Sequence, residues 1–190
     1  MLRYNSTLLS NEFYTPNMWI QQMGVVDKST LAVNVTSAAP ANILSYTIPS
    51  GSFGTNGMFQ LVSGGIWNNT SGANRTTTIL ISFGGTTMWR ATSGNLSNGT
   101  VAWRMELSLS SNNSDAAQTL IGQINISTVT VPLTGFSSIA NGTTTPFTCA
   151  AISGTSAINT AITAGAFLVN VTVSGNNSTF TKHNHVITRV

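Results

Sequence analysis

Val101, Trp103, Met105, Leu107 and Leu109 alternate with Ala102, Arg104, Glu106, Ser108 and Ser110. Successive side chains of a strand point to opposite faces, so a period of two reads as a half-buried strand: the first set packs on a core and the second meets water. Phe167, Val169, Val171 and Val173 repeat the pattern against Leu168, Asn170 and Thr172. Strand-like runs fall near 43–49, 57–67, 75–83, 86–92, 100–110, 118–131, 146–152, 165–174 and 178–190. Between them stand residues 68–74, Gly84-Gly85, Asn98-Gly99, 111–115 and Gly175-Asn176-Asn177. Gly and Asn reach positive φ at low cost, as tight antiparallel connections require. The expected fold is all-β: an antiparallel β-sandwich over 41–190 with one continuous core, a jelly roll of about eight strands. A lipocalin-like barrel fits less well, because connections such as residues 132–146 are uneven.

Composition narrows the function classes. Eleven side chains are Asp, Glu, Lys or Arg, whereas Asn, Ser and Thr supply 72, so amides and hydroxyls keep the chain in solution. Sheet faces and edges then lack the Lys and Glu that discourage association, and a homo-oligomer is expected, a trimer in particular. The seven basic residues are spread from Arg3 to Arg189 with no stripe, which argues against a nucleic-acid groove. Glycosidase chemistry needs two carboxylates at a fixed separation. The chain offers Glu12 and Asp27 near its start, Asp115 in a loop, and Glu106 on a strand face beside Arg104, where an ion pair or cross-strand partner is the expected role. No Gly-X-Ser-X-Gly elbow occurs. The expectation is a protein that is not an enzyme and uses no cofactor. The thirteen Asn-X-Ser/Thr triplets read as turn and strand chemistry, since no signal peptide precedes them. No stretch has the length of a membrane span, and synthesis in a host cytoplasm is expected.

Three groups of residues are candidates for more than packing. His183 and His185 stand two apart in the last strand run, so both should share a face at a spacing that suits a metal, but no acidic residue or Cys is near in sequence to complete a site, and the expectation is no metal and a pair of exposed, unliganded histidines. Of Trp67, Trp89 and Trp103, the third alternates into the core, whereas Trp67 adjoins an Asn-rich loop and is the candidate surface aromatic, for glycan stacking or a protein interface. Cys149, in an apolar run, is expected to be a buried small hydrophobe. Residues 1–40 form an arm with a short helix near 16–23: Thr15 caps it, Pro16 opens it, Gly24 ends it, and Tyr14 and Trp19 form a staple. Phe13, Tyr14, Trp19 and Ile20 are more apolar surface than one short helix hides, so the arm must dock on its own sandwich or on a partner protein.

The run from Met58 through Trp67-Asn68-Asn69-Thr70 and Arg75-Thr76-Thr77-Thr78-Ile79 to Phe83-Gly84-Gly85-Thr86 resembles a β-rich module of tailed-bacteriophage virion proteins. Trp103-Arg104-Met105-Glu106-Leu107 and the closing strand Phe167–Val173 with its hairpin fit the same module, which covers residues 41–190. The resemblance implies a trimeric jelly roll on the phage particle: a capsid decoration or cement protein, a head fibre, or a tail-fibre tip. The first places the chain on the major capsid protein and makes Phe13, Tyr14, Trp19 and Ile20 the attachment residues. The last makes it a receptor-binding tip for host-surface carbohydrate. The shortness of the arm, with no upstream repeat or coiled-coil stalk, favours the capsid.

Overall fold

A computed structural model describes the backbone over residues 2–5, 10–14, 19–21, 24–128, 134–138 and 149–190, and side chains over 24–126 and 150–190. Three strands, β1 (Leu2–Asn5), β2 (Ser10–Tyr14) and β3 (Trp19–Gln21), make an antiparallel sheet of their own. Then follow β4 (Gly24–Ser29), β5 (Val33–Val35), β6 (Ala41–Ile48), β7 (Met58–Asn69), β8 (Thr77–Phe83), β9 (Thr86–Asn95), β10 (Gly99–Ser111), β11 (Gln118–Thr128), β12 (Thr134–Ser138), β13 (Cys149–Ser156), β14 (Gly165–Val173) and β15 (Ser178–Arg189).

These form a sandwich of two antiparallel sheets. The larger has seven strands in the order β13-β11-β10-β7-β15-β4, with β5 also paired to β15. The smaller has five, β12-β9-β8-β14-β6. Each of the nine expected runs contains a strand over its described residues, and the register of β10 is the expected one. Val101, Trp103, Met105, Leu107 and Leu109 are buried, while Arg104 is exposed and bonds Glu106 at 2.7 Å on the outer face. β8 and β9 are joined by Gly84-Gly85, with φ of 56° and 82°, the two positive values that a two-residue type I′ connection requires. The inner faces meet in one apolar cluster, with Phe53 of the β6–β7 connection against Phe59 at 5.2 Å and Phe83 at 6.1 Å.

The sandwich also takes in more of the chain than expected. β4 and β5 pair with β15, so residues 24–35 belong to the larger sheet and not to an arm ending at 40. Their backbone groups complete the ladder along one side of β15, which would otherwise be a bare edge. The helix expected near 16–23 falls partly outside the described residues; within it, Trp19–Gln21 is strand β3, paired with Glu12–Tyr14 of β2. Among the described residues there is no helix, and so none long and apolar enough to cross a membrane.

Candidate functional site

β15 loses its even register between Lys182 and Asn184: Lys182 pairs with Gly65 of β7 and Asn184 with Gly64, leaving His183 as the extra residue of a bulge. The edge strand is interrupted at the same level. Ser29, the last residue of β4, pairs with His185, and Val33, the first of β5, pairs with Lys182, so residues 30–32 oppose the bulge. Two coincident breaks re-aim the side chains on either side of them. Lys182 and His185 both turn into the sandwich, at 3% and 7% exposure, and His183 and Asn184 remain outside.

Inside, three ionisable groups form a chain. The Lys182 Nζ is 3.1 Å from His185 Nδ1, and His185 Nε2 is 2.9 Å from Asp27 Oδ2. An ammonium can only donate, so Nδ1 accepts from Lys182 and the Nε2 hydrogen goes to the Asp27 carboxylate. A neutral imidazole thus links a buried cation to an anion at the sheet edge. Burial holds the Lys182 ammonium below its ordinary range, and the nearby Asp27 charge opposes that shift. Tyr46 of β6 shares this environment: burial first, then the Asp27 charge, push its phenol up, with Arg189 acting the other way.

Ser63 stands directly across from His185 on β7, so a serine, a histidine and a carboxylate do meet here. The geometry is not that of a nucleophile and its base. The Ser63 hydroxyl donates to the Asn184 carbonyl at 2.8 Å, and both imidazole nitrogens are already engaged. What the arrangement does is hold the sheet together at its break: Ser63 satisfies a carbonyl freed by the bulge, and Asp27 ties β4 to β15 through His185.

The residues singled out in the sequence fare differently. His183 and His185 lie on opposite sides of the sheet, because the bulge shifts the period of two by one; His185 is matched to Lys182 and Asp27, and among the described residues no three His, Cys, Asp or Glu side chains gather as a metal site. Trp67 is not a surface aromatic. It is 0% exposed, its Nε1 donates to Ser178 Oγ at 3.0 Å, and it pairs with Phe180, which stacks on Trp103 at 4.8 Å. In the arm, Phe13 pairs with Ile20 and Tyr14 with Trp19 across β2 and β3, which brings the four positions together in register; their side chains, like that of Cys149, lie outside the described residues. Lys182 and Asp27 went unnoticed as site residues because 155 positions separate them in sequence. Lysine at an inward position of a strand was the available signal, hidden by the bulge.

No family model matches the chain, and no curated protein does. A solved structure entitled "Structure of infectious bursal disease virus Gx strain" is similar with a TM-score of 0.29 and 12% sequence identity, over 94% of this chain and 45% of that one. This chain therefore spans less than half of that protein's length, and a likeness at that TM-score carries no argument about fold or function.

Proposed function

We propose that this chain is a virion structural protein: a capsid decoration or cement protein of a tailed bacteriophage, bound to the major capsid protein through the Phe13, Tyr14, Trp19 and Ile20 region and stabilising the shell as a homotrimer, with no enzymatic role. The observation that carries the reading is the strand order. Numbering β5, β6, β7, β8, β9, β10, β14 and β15 from one to eight gives 1-8-3-6 in the larger sheet and 2-7-4-5 in the smaller. This order supports reading the sandwich as a jelly roll, an architecture used in capsid shells and lectins alike. β11, β12 and β13 are then an excursion between the sixth and seventh strands, widening both sheets on one side. The phage-module resemblance and the nearly uncharged, amide-rich surface favour the capsid use.

A carbohydrate-binding tip needs an exposed aromatic face for the sugar. Trp67, Trp89 and Trp103 are all buried, which weighs against that alternative. Quantitative protein composition of purified particles tests the proposal. A decoration protein is present in hundreds of copies and stays on tailless heads, whereas a few copies lost with the tail, together with binding to the host surface, would overturn it.

A further inference from the structure

Among the described residues, the outer face of the larger sheet gathers more exposed large hydrophobic residues than any other part. Successive strands place Ile121 of β11, Ser108 of β10, Gln60 of β7, Thr188 of β15 and Val25 of β4 in one row across it. The next row holds Gln123, Glu106, Val62, Val186 and Lys28. Ile121, Val62, Val186 and Val25 are four of the seven large hydrophobic residues exposed among the described residues, and Ile121 stands 60% bare. Between Ile121 and Val62 the small Ser108 and Gly122 leave a shallow trough of about 450 Å³, bordered by Gln60 and Gln123. Each copy of the chain thus carries an apolar knob beside an open trough.

We propose that this face packs against another copy of the same chain, with Ile121 of one copy entering the trough over Ser108 of the next. Three features select a second copy as the occupant. Five strands about 4.8 Å apart and about eight residues long present on the order of 600 Å², close to the roughly 800 Å² that each partner contributes to a standard interface. The amides and hydroxyls of Gln60, Ser108 and Thr188 both donate and accept, so the face is complementary to itself in hydrogen bonding. Of the two charged residues in these rows, Glu106 is already bonded to Arg104 and Lys28 stands on the edge strand β4, so the middle of the face has little charge to repel a like surface or to select an oppositely charged partner. One knob and one trough per copy serve a two-fold pair or a closed ring equally.

The inference deepens the homotrimer part of the proposed function and stands apart from its capsid part, since a monomer could bind a shell and an oligomer need not. Light scattering on the isolated full-length protein at about 50 μM decides it. The wild type should have a mass two or three times 19.9 kDa. Ile121→Lys and, separately, Val186→Lys should fall to the monomer mass with unchanged circular dichroism. Ile162→Lys removes a still barer apolar residue, 79% exposed in the loop before β14, and should keep the wild-type mass. A monomeric wild type, or folded Ile121→Lys and Val186→Lys variants that stay oligomeric, would overturn the proposal.

Discussion

Leu107 lies at the middle of β10 with its side chain in the core, paired with Leu61 on one side and Gly122 on the other. Leu107→Ala leaves a cavity that close-packed neighbours cannot fill and should cost about 2–5 kcal/mol in urea denaturation. Ile121→Ala, on the bare outer face, should stay within about 0.5 kcal/mol for the isolated fold. Gly65 is a sharper case, because a methyl group there would run into the Thr181 carbonyl of the neighbouring strand. Gly65→Ala should therefore destabilise by on the order of 3 kcal/mol, although alanine suits a strand no worse than glycine. Alternation read from the sequence was sufficient for Leu107. It failed for Trp67, because Asn68 and Asn69 look like a turn whereas β7 continues through both. Asn69 is buried at the end of that strand, with Nδ2 donating to the Ala73, Leu96 and Ser97 carbonyls and Oδ1 accepting from Ser71. An amide spent on organising loops cannot be told from a turn amide by residue type.

At the level of elements, the edge strand β4–β5 and the bulge in β15 were the parts least legible in the sequence. Gly-Val-Val-Asp-Lys-Ser has no clean alternation, and its place in the sheet comes from β15, more than 150 residues away. A one-residue bulge has no local signature, yet it decides that His185 faces Asp27 while His183 faces solvent. The Lys182–His185–Asp27 chain across this break has a pH signature. Lys182 has a folded pKa below the ordinary 10.5, so between that lowered value and 10.5 the unfolded chain binds more protons than the folded one. Stability should rise with pH through that window, as the cost of the buried cation is relieved. Tyr46 acts oppositely: its folded pKa is above the ordinary 10.0, so its contribution is intact below pH 10.0 and is lost as pH rises from there through the raised value. Urea midpoints should thus climb with pH below 10.0, where Lys182 alone of the two acts, and turn down once Lys182 no longer titrates and Tyr46 alone acts. Lys182→Met should remove the climb and keep the downturn, and a Lys182→Met profile that climbs like the wild type would show that the lysine is not the group responsible.

For the whole molecule, the limits of the sandwich decide how its attachment can be tested. Cutting at residue 40 would remove β4 and β5 and strip one side of β15 of its hydrogen-bond partners, so such a chain should melt far lower and aggregate through the bared edge. A chain beginning at Gly24 keeps the described sandwich entire and should melt with the full-length protein. If the N-terminal region is the attachment device, the Gly24 chain should lose capsid binding, and so should a full-length chain carrying Phe13→Ser and Trp19→Ser. These change one residue in each cross-strand pair, Phe13 with Ile20 and Tyr14 with Trp19. Aromatic anchors of this type carry a large part of an interface's energy, so the double variant should bind at least tenfold more weakly, a loss of about 1.4 kcal/mol or more. The wild-type affinity should change less than about twofold between 50 and 500 mM salt, because that region carries two charged side chains, Arg3 and Glu12, of opposite sign and at partner positions of β1 and β2, and so has little net charge for salt to screen. Co-sedimentation with purified capsids lacking the protein measures all three chains. Undiminished binding by the Gly24 chain would move the attachment surface onto the sandwich itself.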